Sequence, residues 1–98
     1  MRDAEYRRHP DVASVADEGR WYVARVPDGP IHCLDGPAAV IWDELPPADG
    51  PYAASGDLVR RVALRVGVEE DAVRGDVAHF MGRLVSLGLL ETVTRPRR

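Results

Sequence analysis

Apolar and polar positions follow two different rhythms along the chain. As far as residue 34 the rhythm is that of strands, because β-favouring residues gather in three short runs separated by turns that contain Gly or Pro. These runs are 12–16, 21–26 and 31–34. They predict a three-stranded antiparallel β-meander. Pro30, at the start of the third run, has no backbone N–H to donate, which is typical of a strand at the edge of a sheet.

From residue 35 onwards the apolar spacing is that of helices. Three amphipathic segments are predicted, and each ends at a residue type that stops helices: the Pro46-Pro47 pair, then Gly67, then Gly88. The last apolar residues, Leu89, Leu90 and Val93, predict either a final short strand or a cover for the core. The sequence therefore predicts an α+β fold in which the meander is followed by three α-helices, in outline a winged helix-turn-helix.

The third predicted helix has more apolar surface than one packing face requires. At about 100° per residue its apolar side chains span an arc of roughly 160°, whereas a helix that packs on one side needs about 100°. Two explanations stay open: the helix packs on two sides, or one border of the arc lines a groove for a ligand. We expect Val73, Phe80 and Leu84, at the centre of the arc, to lie in the core. The groove is expected at the border formed by Arg74, Val77, Ala78, Met81 and Val85.

Composition and length indicate one domain. The 98 residues are 45% hydrophobic and 30% charged, which is the range of chains that fold on their own. We expect a single domain over 1–98, with its core in about 11–93 and flexible ends at 1–10 and 94–98. The chain has a single cysteine, Cys33, an N-terminus too polar for a signal peptide and no apolar run that could span a membrane, so we expect a cytoplasmic protein.

Residues for catalysis or metal binding do not gather into a recognisable motif. His9, His32 and His79 have no metal-ligand type at a characteristic spacing, and no Gly-rich phosphate loop or nucleophile motif is present. The acidic residues at the start of the third helix are explained by solvation and by the helix dipole. We therefore expect no enzymatic activity, no metal and no cofactor.

A resemblance to a known family covers roughly residues 21–93. The run 34–45 with Trp42, the short helix that begins at 57–59, the segment 76–84 and the closing Gly88-Leu89-Leu90 resemble the PqqD-like family. These are recognition elements for precursor peptides in pathways that make ribosomally synthesised, post-translationally modified peptides. The chain is also similar to the free-standing leader-binding proteins of lasso-peptide pathways. It departs from the pattern in its proline-rich loop, 46–54, and in the residues His32 and Cys33.

The resemblance implies non-catalytic binding of a leader peptide and its delivery to a modifying enzyme or a leader peptidase. The peptide would add as a strand beside the third strand, against the third helix. The residue pattern agrees, because an unpaired strand edge offers backbone donors and acceptors while side-chain pockets supply selectivity. The predicted peptide-binding residues are Ile31, His32, Cys33, Leu34, Arg74, Val77, Ala78, Met81 and Val85.

Three alternatives remain at this point. A winged-helix DNA-binding regulator fits the outline of the fold, but the net charge of −3 and the Glu69-Glu70-Asp71 start of the third helix oppose phosphates, so we expect no nucleic-acid partner. A structural subunit of a larger enzyme is the second. Thirdly, the surplus apolar surface of the third helix also suits self-association into a homodimer. No membrane partner is expected.

Overall fold

Two small antiparallel sheets and three helices make up the protein. The structure is a computed structural model that describes residues 2–96. In chain order the elements are β1 (Arg2–Arg8), β2 (Val12–Asp17), β3 (Arg20–Arg25), β4 (His32–Leu34), α1 (Pro37–Glu44), β5 (Ala53–Ala54), α2 (Ser55–Val66), α3 (Glu70–Ser86) and β6 (Leu90–Pro96). One sheet has the strand order β2-β3-β4 and the other the order β5-β1-β6. The α+β class predicted from the sequence is confirmed.

The second sheet joins the two ends of the chain. β1 pairs with β6 along its whole length, from Arg2 opposite Pro96 to Arg8 opposite Leu90, and its other edge pairs with β5. The structure therefore differs from the flexible ends expected at 1–10 and 94–98, since residues 2–8 and 94–96 belong to strands. The strand β1 was not predicted from the sequence, because its charged residues lack the apolar alternation of a strand. Its position is set by backbone hydrogen bonds to β6, more than eighty residues away along the chain. Arg97 and Arg98 lie outside the described residues.

The core lies between the helices and the inner face of the β2-β3-β4 sheet. Its largest side chain, Trp42 of α1, is completely buried. The other core residues come from every helix and from both sheets: Val23, Leu34, Ile41, Leu45, Ala53, Leu58, Val59, Val62, Val77, Met81, Leu84, Leu89 and Leu90. The helical apolar spacing found in the sequence thus marks the faces that are buried here.

A half-buried arginine ties β1 to the elements that carry the core tryptophan. The guanidinium carbon of Arg8 lies 5.0 Å from the ring centre of Trp42 and 5.3 Å from that of Trp21, in β3. Its Nη2 donates a 2.7 Å hydrogen bond to the backbone oxygen of Trp42. Burial lowers the pKa of Arg8 from its ordinary value, and the nearby Asp43 carboxylate opposes that shift. Cation–π attraction to both rings compensates part of the lost hydration of the guanidinium.

A polar cluster fastens the other side of β1 to β6. Arg7 Nε donates to Glu91 Oε2 over 2.7 Å, and the Tyr52 hydroxyl donates to the same oxygen over 3.1 Å. The Arg7 guanidinium also lies 4.2 Å from the centre of the Tyr52 ring. The hydrogen bond from Arg7 is the main reason that the pKa of Glu91 lies below its ordinary value. The ionised form of Glu91 is therefore favoured by folding.

This cluster predicts an acid-dependent loss of stability. Because folding lowers the pKa of Glu91, its contribution is present above the unfolded pKa of about 4.3 and disappears as the pH falls through the folded value. We expect Glu91→Gln to lower the free energy of unfolding at pH ~7, and the gap to wild type to narrow towards pH ~3. Urea denaturation across that range measures both. Glu18→Gln, an exposed turn carboxylate, is the control; a gap for Glu91→Gln that does not change with pH would contradict the assignment.

Candidate peptide-binding cleft

The strand β4 is hydrogen-bonded to the rest of the protein along one edge. It pairs antiparallel with β3, with Leu34 opposite Trp21, Cys33 opposite Tyr22 and His32 opposite Val23. It is the last strand of its sheet, so within residues 2–96 no strand lies on its other side. In an antiparallel ladder, every second residue turns its N–H and C=O away from its partner strand. The edge position predicted for this strand is confirmed, and the strand begins one residue later than expected.

A cleft of about 380 Å³ separates β4 from α3. β4 packs against β3 and α1, whereas α3 packs against α2 and β6, so the two walls belong to different parts of the core. The lining residues are Ile31, His32, Cys33, Leu34, Asp35, Ala38, Phe80, Arg83, Leu84, Leu87 and Leu89. The floor consists of buried leucines, and the rim includes Ile31 at 74% exposure and Leu87 at 43%. A trough with leucine side chains and polar groups in its lining therefore lies beside an unpaired backbone edge.

The helix wall of the cleft is one continuous stripe of α3. Phe80, Arg83, Leu84 and Leu87 are spaced at i, i+3, i+4 and i+7, which places them on one face of the helix. Leu84 is 1% exposed and belongs both to the core and to the floor of the cleft, while Phe80 is half-buried. The stripe ends at Leu87, which directly follows the last residue of α3 and is exposed.

The C-terminal end of α3 is held against the meander by Arg25 of β3. Arg25 Nη1 donates a 3.1 Å hydrogen bond to the backbone oxygen of Gly88. Gly88 has a φ of 76°, and a Cβ built there would lie 2.8 Å from Arg25 Nη1. A side chain at residue 88 would therefore both strain the backbone and collide with this link. The contact links the residues that follow α3 to the meander.

The predicted site is half inside this cleft. Its strand residues, Ile31, His32, Cys33 and Leu34, all line it. Its helix residues do not: Val77 and Met81 are 0% exposed in the core, so the structure contradicts their assignment to a groove wall. Val85 is half-buried against the same core.

The two remaining helix residues are exposed but lie outside the cleft. Arg74 forms ion pairs at 3.2 Å with Asp71 and at 3.8 Å with Glu70. Ala78 lines a neighbouring shallow depression on α3. The groove lies along the border of the α3 apolar arc that carries Phe80 and Leu87, and not along the predicted border with Val77 and Met81. Sequence periodicity gives the width of the apolar arc, but it does not show which part of the protein packs against each border. Leu87 is a cleft residue that was not predicted. It lies on the same side of the helix as Phe80 and Leu84, but its side chain is exposed and not part of the core.

Charge in the cleft is confined to its rim. Asp35 follows β4, and Arg83 projects from α3. Within residues 2–96, Arg83 forms no ion pair and no side-chain hydrogen bond. The thiol of Cys33 is exposed on the strand wall. In the described part of the chain no group of three or more metal-ligating residues is found, and no helix there has the length and apolarity of a membrane span.

The position of Met81 is open to a direct test. Because its side chain is completely buried, we expect Met81→Ala to lower the free energy of unfolding by about 2–5 kcal/mol. Leu64→Ala, at a residue of α2 that is 76% exposed, is expected to change it by less than about 0.5 kcal/mol. Chemical denaturation monitored by tryptophan fluorescence measures both. If both substitutions change the free energy of unfolding by the same small amount, Met81 is not buried, and its predicted place in the groove would stand.

Comparison of the chain with protein-family models, with curated proteins and with solved structures gave no match.

Proposed function

We propose that the protein is a non-catalytic recognition module that binds the leader segment of a ribosomally made precursor peptide. It presents the bound peptide to a modifying enzyme or to a leader peptidase in the cytoplasm. The observation that carries the proposal is the unpaired edge of β4 beside a leucine-lined cleft whose other wall is α3. The winged helix-turn-helix-like arrangement of meander and helices, and membership of the PqqD-like family, are part of the same proposal.

Strand addition suits the two walls of the cleft. A peptide laid along β4 exchanges backbone hydrogen bonds with it, whatever the peptide sequence, and every second peptide side chain then points towards α3. β4 has three residues, which at about 3.3 Å per residue gives a ladder of only ~10 Å. So short a ladder provides few hydrogen bonds. Selectivity and much of the affinity therefore come from apolar side chains that enter the cleft between Leu34 and Leu87.

The charges of the helices favour a peptide over DNA as the partner. The N-terminal turn of α3 carries Glu70 and Asp71, and both pair with Arg74. On α2, Arg60 pairs with Asp57, and Arg65 pairs with carboxylates of α1. A phosphate backbone placed on this surface would have to displace those ion pairs and would meet the released carboxylates. An uncharged peptide backbone placed in the cleft beside β4 displaces none of these ion pairs.

The apolar rim of the cleft predicts a localised binding defect. The probes are synthetic, fluorescein-labelled leader halves of the short peptides encoded in the genes next to this one, each titrated by fluorescence anisotropy. We expect binding near ~1 μM or tighter, and a loss of at least about tenfold in Leu87→Asp, because a carboxylate there must be desolvated against apolar side chains. Leu64→Asp makes the same change on an exposed face of α2 and should bind as wild type does. Absence of binding, or an equal loss in both variants, would contradict the proposal.

Strand addition also predicts a period of two along the peptide. We expect single N-methylation of the bound segment to weaken binding strongly wherever the peptide N–H donates to β4. The residue on either side should tolerate the change, because its N–H points away from the protein. A scan of singly N-methylated leader peptides in the same titration measures this alternation. A peptide that binds as a helix would instead lose affinity at successive positions, and that result would exclude addition to β4.

A further inference from the structure

We infer that the peptide held in this cleft carries a carboxylate side chain opposite Arg83, so that the site selects acidic over basic or neutral residues at one position. This inference rests on the proposed function and adds the chemistry of the ligand to it. It begins from a single feature: Arg83 is the cation on the α3 wall of the cleft, and within residues 2–96 it has no ion-pair partner.

Three other arginines of the described helices are paired at short range, whereas Arg61 of α2, which lies outside the cleft, has no ion-pair partner among residues 2–96. Arg60 lies 3.0 Å from Asp57, and Arg74 lies 3.2 Å from Asp71. Arg65 Nη1 lies 3.1 Å from a carboxylate oxygen of Asp43 and 3.1 Å from one of Glu44. The chain has 16 acidic and 13 basic residues, so carboxylates are plentiful, yet none is placed within 4.0 Å of Arg83 among the described residues. The positive charge on the cleft wall is therefore available to a ligand.

The surroundings of Arg83 favour a pair with a bound peptide. Its neighbours on the stripe, Phe80, Leu84 and Leu87, are apolar. A peptide strand that covers them removes water from around the guanidinium, which strengthens a charge pair relative to one in free solvent. A guanidinium also presents parallel N–H donors that match the two oxygens of a carboxylate.

The acidic side chain has a defined place in the peptide pattern. Side chains that face the cleft recur at every second peptide residue, and those nearest the floor meet Leu34, Leu84 and Leu89. The side chain that reaches the rim on the α3 side meets Arg83. Asp35, at the other rim beyond β4, repels a second carboxylate at that end of the cleft. The preferred ligand is thus a peptide segment with an apolar residue at every second position and one acidic residue. The acidic side chain lies on the α3 side of the cleft, away from Asp35.

A selection from random peptides tests this charge preference directly. An mRNA-displayed library of random twelve-residue peptides is selected against wild type, Arg83→Glu and Arg61→Glu. Arg61 is an exposed arginine of α2 outside the cleft. Because both variants replace an arginine by a glutamate, Arg61→Glu and Arg83→Glu have the same net charge. We expect wild type and Arg61→Glu to enrich peptides with alternating apolar residues and Asp or Glu at one fixed offset. Arg83→Glu should enrich Lys or Arg at that offset.

Titration of one selected peptide gives the magnitude. Replacing its acidic residue by Gln should weaken binding to wild type by about fivefold, and should leave binding to Arg83→Gln unchanged. The outcomes separate the two claims. If no protein enriches any apolar-alternating peptide, the proposed function fails together with this inference. Apolar alternation without a charge preference, or an acidic preference that survives in Arg83→Glu, overturns the inference alone and leaves the peptide-binding role standing.

Discussion

The backbone of β4 is hydrogen-bonded on one side only, and both the shape of the site and its proposed use depend on this. Peptide N–H and C=O groups without a protein partner must be satisfied by water or by another chain. Long open edges invite uncontrolled pairing. Here the edge is limited to three residues, because Pro30 precedes β4 closely and Gly36, with a φ of 55°, follows it. An edge of that length offers few backbone hydrogen bonds, so under the proposed function the cleft beside it has to select the peptide.

Side-chain and backbone contacts connect this edge to the rest of the fold from two directions. Trp21 of β3, opposite Leu34, donates its indole N–H to Asp43 of α1 and stacks on Arg8 of β1. The β1–β6 ladder then connects the same region to the segment that follows α3. From the other direction Arg25 reaches the carbonyl of Gly88. The cleft is thus bounded by two walls that each contact the core.

Local residue patterns were sufficient to predict most of the elements. The meander, the three helices and the edge position of the strand with His32 and Cys33 follow from turn residues, prolines and apolar spacing, which act over a few residues. β1 could not be predicted this way, since its charged side chains carry no strand signature and its partner is at the other end of the chain. The prediction of the helix residues that line the cleft was wrong for a related reason. Met81 and Leu87 lie on opposite sides of one apolar arc, and only the tertiary packing decides that Met81 is buried and that Leu87 faces the cleft.

The central claim, that a peptide joins the meander as a fourth strand beside β4, is tested most directly by nuclear Overhauser effects in the complex. The protein is labelled with ¹⁵N and ¹³C, the leader peptide is unlabelled, and an isotope-filtered experiment records only contacts between them. The account predicts cross-strand backbone contacts from successive peptide residues to His32, Cys33 and Leu34, with alternate peptide side chains in contact with the methyl groups of Leu87. Contacts confined to α2, or a bound peptide with helical backbone contacts and none to β4, would contradict it.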